Sequence, residues 1–178
     1  MTKKNKSGIE YLEQNRINWF PGHMKKAIEK IQESLKLVNI IIEVRDARAP
    51  MASGNKGTYQ SRGQIPYLIV LNKANLADPE AVKSWTNWFT KQNEPFVFIN
   101  ALDKKSIKTI LKRAKEVLHA HRLKSNLSIK PKDKMKMMIL GLPNTGKSTI
   151  INKLANRNAS KAAQKPGQTT SVLWVNVD

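Results

Sequence analysis

The sequence predicts an α/β fold in which a parallel sheet is flanked by helices. Apolar runs rich in β-branched residues occur at 38–44, 65–71 and 96–99. Uninterrupted runs of this kind are typical of strands that are buried on both faces of a parallel sheet. Apolar residues at helical spacing occur at 25–37, 79–92 and 106–121. Strands and helices therefore alternate along the chain, as they do in parallel α/β sheets.

The chain is strongly basic and contains no cysteine. Its 178 residues include 32 Lys and Arg against 13 Asp and Glu, a formal net charge of +19. This excess favours a polyanionic partner, RNA above all, without indicating DNA specificity; a merely solvated basic surface is the alternative. The lack of cysteine excludes disulfides and thiolate metal sites. Because no apolar run is long enough to span a membrane and no signal peptide is evident, a cytoplasmic location is expected.

Residues 141–149, GLPNTGKST, fit the phosphate-binding pattern G-x-x-x-x-G-K-[ST] and form a P-loop. The apolar run at 135–140 indicates a strand that enters the P-loop, and the sequence STIINKLAN at 148–156 indicates a helix that leaves it. The simpler alternative is a glycine-containing turn between a strand and a helix. The match at four positions, with the right element on each side, favours a nucleotide site.

The residue types of the P-loop suit a polyphosphate. A Cβ at Gly141 or Gly146 would crowd an anion held by the backbone N–H groups. Lys147 would contact the β- and γ-phosphates, and the Ser148 hydroxyl would help to hold Mg²⁺. The predicted phosphate-binding residues are Pro143, Asn144, Thr145, Gly146, Lys147, Ser148 and Thr149.

Two polar segments directly follow predicted strands. DARAP at 46–50 and NKAN at 72–75 lie at the carboxyl ends of their strands, where open α/β sheets place ligands. The spacing of Asp46 and Arg48 allows a local ion pair, and no catalytic role follows for either from the sequence alone.

Two further segments are unusual in composition. NWFPGHM at 18–24 places two aromatic residues and His23 around a Pro-Gly turn. KPGQTT at 165–170 is followed at 171–177 by alternating apolar residues, which indicate another strand.

Together, NWFPGHM, the strand followed by DAR-x-P, and an NK-x-D-like motif placed before the P-loop resemble the circularly permuted GTPases of the ribosome biogenesis GTPase A family. The resemblance covers residues 18–177. It implies a P-loop NTPase fold in permuted order, with GTP, Mg²⁺ and K⁺ as ligands. The GTPase domain would occupy 18–178, after a flexible basic N-terminus at 1–17. Related GTPases continue into a D-x-P-G motif, so the C-terminal part of the domain is expected to be missing here.

The resemblance assigns the base side of the site to four residues. Asn72 would tie neighbouring loops together, Lys73 would lie against the base, and the backbone N–H of Ala101 would contact it. Asn75 departs from the family pattern, in which an acid accepts two hydrogen bonds from guanine. Because an amide offers one acceptor instead of two, we expect the guanine preference to fall by about 1 to 3 kcal/mol, with xanthine as another candidate base.

The resemblance also implies metal-binding and catalytic residues. Thr169 or Thr170 would close on Mg²⁺ together with Ser148, and the family's PG-x-TT pattern favours Thr170. Asn144 stands at the position that accompanies K⁺ dependence, and a purely turn-forming role is the alternative. Since the family lacks the usual water-orienting glutamine, His23 is a candidate to orient the attacking water near Lys147. His23 could instead support its turn or contact RNA.

The function implied is a GTP-binding and GTP-hydrolysing assembly factor for the large ribosomal subunit. Ribosomal RNA would be bound through basic surfaces such as residues 104–136. The location would be cytoplasmic, with a mitochondrial relative not excluded. The alternative is a non-hydrolysing RNA-binding remnant with a vestigial nucleotide site.

Overall fold

The computed structural model describes residue 35 and residues 38–54, 64–125, 135–158 and 170–174. The predicted flexible N-terminus at 1–17 and the NWFPGHM segment with His23 lie outside these residues. So does the predicted helix at 25–37, apart from Leu35, which is helical and buried.

A five-stranded sheet forms the centre of the described part of the chain. Its strands are β1 (Ile40–Asp46), β2 (Tyr67–Asn72), β3 (Phe96–Phe98), β4 (Lys136–Leu140) and β5 (Thr170–Trp174), in the order β3-β2-β1-β4-β5. β1 to β4 are mutually parallel, which confirms the predicted parallel α/β sheet, and β5 runs antiparallel to β4. The sequence pattern could not show the direction of β5, because side chains alternate with period two in either direction.

Within the described ranges, three α-helices connect the strands. They are α1 (Pro79–Lys91), α2 (Lys105–Lys124) and α3 (Lys147–Asn158), and a short 3₁₀ helix (Ala74–Leu76) follows β2. At the start of α1, the Asp78 carboxylate accepts a hydrogen bond from the Ala81 N–H at 2.8 Å. α2 extends three residues beyond the predicted end at His121. None of the helices in the described ranges is both long and apolar enough to cross a membrane.

The main core lies on one face of the sheet. Alternate residues of β1, β2 and β4 point to this face, where α2 and α3 cover them. The centre of this core is formed by Ile42, Val70, Ile139, Ile110, Ile151 and Leu154, each at most 3% exposed. α1 packs on the opposite face, where the ring centroids of Phe89 and Phe96 are 5.3 Å apart. Helices therefore flank both faces of the sheet. The P-loop directly follows β4, whose side chains form part of the main core.

The face opposite the main core contains a buried polar cluster of Glu43, Arg45 and Tyr67. Arg45 Nε donates a hydrogen bond to Glu43 Oε2 at 2.7 Å, and the Tyr67 hydroxyl donates to the same oxygen. Glu43 is fully buried, and Arg45 is 8% exposed. A second contact, from Arg45 to the carbonyl oxygen of Pro50 at 3.3 Å, attaches the loop after β1 to this cluster.

Candidate nucleotide-binding site

The P-loop joins β4 to α3 through a backbone that glycine permits. Gly141 has φ 150° and Gly146 has φ 94°, values that side-chain-bearing residues rarely adopt. Asn144 has φ 63°, and asparagine is among the few residues that tolerate this region. α3 then begins at Lys147, so its first N–H groups and the positive end of its dipole face the P-loop.

The two glycines are required by neighbouring strand ends. A Cβ at Gly146 would lie 2.1 Å from Asn72 Nδ2, and a Cβ at Gly141 would lie 2.3 Å from the Val44 carbonyl oxygen. The sequence analysis attributed the need for glycine to the anion alone. In the structure, these glycines also let the P-loop pack against the ends of β1 and β2.

Asn72 joins three segments of the chain. Its Nδ2 donates to the Thr145 carbonyl oxygen at 2.9 Å, and its Oδ1 accepts from the Ala101 N–H at 2.9 Å. Asn72 and Thr145 are each only 3% exposed. Since buried amides are costly to leave unpaired, these bonds hold the end of β2, the P-loop and the loop after β3 in fixed relative positions.

Lys73 provides a second connection to the P-loop. Its Nζ donates to the Asn144 carbonyl oxygen at 2.7 Å and to Asp46 Oδ2 at 2.9 Å. Asp46 also accepts from Arg48 at 2.7 Å, which confirms the expected local ion pair. The hydrogen bonds from Arg48, together with those from Lys73, hold the pKa of Asp46 well below its usual range despite partial burial. Asp46 therefore stays ionised as a partner for Lys73.

Lys147 lies against its own loop. Its Nζ donates to the Leu142 carbonyl oxygen at 2.7 Å, and the Thr145 hydroxyl donates to the same oxygen at 2.9 Å. Burial lowers the pKa of Lys147 from its ordinary value. An entering phosphate would offer this partly desolvated ammonium a full negative charge in place of a carbonyl dipole.

The residues present fit a nucleotide with its metal ion. The positive-φ glycines and the start of α3 form an anion-binding turn, and Ser148 is exposed in the first turn of the helix. In the parts of the chain that the structure covers, no group of three or more His, Cys, Asp or Glu residues could hold a metal.

On the base side of the site, the Ala101 N–H donates a hydrogen bond to Asn72 Oδ1 at 2.9 Å. Ala101 is thereby tied to the end of β2. Asn75 is exposed in the 3₁₀ helix after Lys73, and Asp78 is occupied as the N-cap of α1.

The structure brings together most of the residues that the sequence singled out. Hydrogen bonds link Thr145 and Asn144 of the P-loop to Asn72 and Lys73, and they link Asn72 to Ala101. Thr170 begins β5 and is the register partner of Leu140, so its backbone lies beside the start of the P-loop. His23 lies outside the described residues.

Sequence analysis missed the contact between Asp46 and Lys73. Its signal was present, because Asp46 ends β1 and Lys73 directly follows β2, which is the adjacent parallel strand. It also missed the Glu43, Arg45 and Tyr67 cluster, although a charged pair two residues apart on one strand necessarily shares a face.

Sequence comparison shows relatives over nearly the whole chain. The family described as 50S ribosome-binding GTPase matches residues 136–178. The ribosome biogenesis GTPase A of Bacillus pumilus is 41% identical over 163 residues, covering 90% of this chain and 57% of that protein. The ribosome biogenesis GTPase A of Thermotoga maritima is 37% identical and covers 91% of this chain and 55% of that protein. The mitochondrial ribosome-associated GTPase 1 of Bos taurus is 32% identical, covering 87% and 48%.

Solved structures agree with these relatives. The crystal structure of GNP-bound YlqF from Thermotoga maritima aligns with a TM-score of 0.57 at 32% identity, covering 85% of this chain and 60% of that one. A GDP-bound YlqF structure aligns with a TM-score of 0.55 at 33% identity, covering 83% and 59%. The chain thus spans between 48% and 60% of the length of the relatives named here. Over about 90% of its length, this chain is similar to proteins named ribosome biogenesis GTPase A.

Proposed function

We propose that this chain binds GTP with Mg²⁺ at the P-loop, hydrolyses it, and acts in the assembly of the large ribosomal subunit. The observation that carries the proposal is the pair of connections from Asn72 and Lys73 to the P-loop, at 2.9 and 2.7 Å. They place the NK-x-D-like segment beside the phosphate-binding turn, as a nucleotide spanning both would require. The names of the relatives, which include ribosome biogenesis GTPases, support the biological role.

The phosphate half of the site would act mainly by electrostatics. The first N–H groups of α3 and the Lys147 ammonium would stabilise the negative charge that develops when water attacks the γ-phosphate in line. The Ser148 hydroxyl, with Thr170, would hold Mg²⁺, whose charge lowers the repulsion between phosphate and nucleophile. His23 is proposed to orient that water. The variant His23→Ala tests this role: GTP turnover should slow while nucleotide affinity is preserved.

The base half would recognise the purine through the exposed Asn75. Lys73 is proposed to lie along the base with its aliphatic stem, since its ammonium is already held by Asn144 and Asp46. An amide at Asn75 offers one acceptor, so the discrimination against other purines should be modest.

Asn144 is proposed to bind K⁺ through its side-chain oxygen. Its backbone conformation, at φ 63°, also suits the turn, so both roles are compatible with an asparagine at this position. Exchange of K⁺ for Na⁺ should lower GTP turnover, and equal rates in the two ions would show that Asn144 serves the turn only.

The partner is proposed to be ribosomal RNA, and the location is proposed to be the cytoplasm, or the mitochondrion for organellar relatives. The formal charge of +19 supports a polyanionic partner. RNA binding should weaken steeply as salt is raised, because each neutralised phosphate releases counterions.

The test is a titration of the chain with fluorescent GTP in K⁺ and Mg²⁺, competed by unlabelled GTP, XTP and ATP. We expect GTP or XTP to compete better than ATP, and Lys147→Ala to abolish binding. Equal competition by all three would show that the base side makes no selection. Absence of nucleotide binding in a folded chain that still takes up RNA would favour the second candidate, an RNA-binding remnant; the strongly basic composition supports that candidate.

A further inference from the structure

One surface of α2 carries a row of basic side chains. Lys105, Lys108, Lys112, Lys115 and His119 follow one another at intervals of three or four residues, and all five are exposed. At helical spacing these positions fall within one narrow arc, and they extend over about 20 Å of the helix axis. They form the basic stripe.

The basic stripe stands on a rigid support. The opposite side of α2 contributes Ile107, Ile110 and Ala114 to the main core, each at most 3% exposed. Because that side is fixed against β2 and β3, the stripe keeps a constant direction and spacing. A ligand that binds it gains charge contacts without having to order the backbone.

The charge of the basic stripe is poorly balanced within α2. The helix contains seven Lys and Arg residues and one acid, Glu116. Glu116 pairs with Arg113 at 2.9 Å, and Arg113 lies beside the stripe. Among the residues with described positions, no acid forms an ion pair with Lys105, Lys108 or Lys112.

The shape of the surface limits the classes of ligand that could bind to the basic stripe. A convex helix face lacks the concavity that encloses a free nucleotide, whereas a linear row of cations matches a linear row of phosphates. Membrane insertion is disfavoured, because an interfacial helix buries its apolar side in lipid, and the apolar side of α2 is already buried in the core.

We propose that the basic stripe of α2 binds the phosphate backbone of RNA. The proposal rests on the proposed role in ribosome assembly for the choice of RNA among polyanions. Contacts of this type position a protein on its target without reading base sequence. The stripe would therefore orient the GTPase on structured RNA and leave sequence recognition to other contacts.

The experiment measures binding of the full chain to an RNA hairpin as a function of salt. It compares the wild type, Lys108→Gln with Lys112→Gln in the stripe, and a control with Lys83→Gln and Lys91→Gln. The control removes the same charge from exposed positions on α1. We expect the stripe variant to bind roughly tenfold more weakly and to lose about 1.5 to 2 units of the slope of log K against log salt. The control should stay near the wild type.

Two results would overturn the proposal. Equal losses in the stripe variant and the α1 control would show that total charge matters and the stripe does not. Binding of the wild type to phosphatidylserine vesicles but not to the hairpin would identify a lipid surface as the ligand. Fluorescent GTP binding, measured on the same samples, tests the proposed function separately, and thermal unfolding verifies that each variant is folded.

Discussion

Asn72 is the residue on which the geometry of the candidate site depends most. Its amide donates one hydrogen bond to the Thr145 carbonyl oxygen and accepts one from the Ala101 N–H. The same amide limits Gly146, where any Cβ would collide with it at 2.1 Å. Side-chain identity at one position thus dictates side-chain identity at another position 74 residues away, which no local propensity could reveal.

Asn75→Asp should increase the preference for guanine. A carboxylate would accept from both guanine N1–H and N2–H₂, where the amide supplies one acceptor. We expect a gain of about 1 to 3 kcal/mol in discrimination of GTP over XTP, measured by competition against fluorescent GTP. Asn87→Asp, the same change at an exposed position on α1, serves as the control. Unchanged competition in Asn75→Asp would place base recognition elsewhere.

Asp46→Asn should loosen Lys73 and lower stability by about 1 kcal/mol. The folded pKa of Asp46 is depressed below its ordinary value of about 3.9. Its contribution is therefore complete above about pH 5 and is lost as the pH falls below the ordinary value. The difference in free energy of unfolding between wild type and variant should shrink on acidification.

Arg48→Gln removes the other ion-pair partner of Asp46 and leaves the Lys73 contact intact; because Arg48 is half exposed, at 51% of its side chain, solvent screens its pair with Asp46. It should cost less stability at neutral pH. A difference between wild type and Asp46→Asn that stays constant down to the lowest pH would contradict the role of the ionised carboxylate.

β1 shows how a single strand serves two environments. Ile40, Ile42 and Val44 enter the main core, while Glu43 and Arg45 form a buried ion pair on the other face. Burial also raises the pKa of Tyr67, which keeps its hydroxyl protonated as a donor to Glu43. β1 therefore contains a buried ion pair among mostly apolar residues.

Arg45→Met should destabilise the protein by about 3 to 5 kcal/mol, since it leaves the Glu43 carboxylate buried without its cation. The double change Glu43→Leu with Arg45→Met removes the uncompensated charge and should be less destabilised than Arg45→Met alone. Urea unfolding of the two single variants and the double variant measures this coupling. Additive losses would show that the two residues stabilise the fold independently.

Many of the strands and helices could be predicted from the sequence. The three buried runs became β1, β2 and β3, and the helical spacing at 79–92 became α1. The direction of β5 could not be predicted from the sequence, because it depends on pairing with β4. The end of α2 could not be predicted either, because the helix continues through basic residues that helices tolerate well. For the site, the P-loop was readable from local spacing, whereas the occupation of the Ala101 N–H required the tertiary contact with Asn72.

The whole molecule should respond to ligand as one unit. The base side and the phosphate side lie on adjacent strands of one sheet, β2, β1 and β4. A nucleotide that contacts both sides should therefore stabilise the common core. At 100 times the dissociation constant, GTP with Mg²⁺ should add about 2.7 kcal/mol to the free energy of unfolding.

Thermal unfolding followed by circular dichroism checks this expectation. The rise in Tm should disappear in Lys147→Ala and should be reduced when EDTA removes Mg²⁺. A Tm that rises equally in Lys147→Ala would show that the nucleotide stabilises the chain from a site other than the P-loop.

The hydrogen bond from Asn72 to Thr145 joins residues that are 73 positions apart in the sequence. This separation affects the order in which the site can form during translation. During translation, Asn72 and Ala101 are synthesised before the P-loop. The end of β2 and the loop after β3 can thus come together before the P-loop exists. Closing so large a loop is entropically slow, so we expect nucleotide capture to be a late event that completes folding when β4 takes its place beside β1.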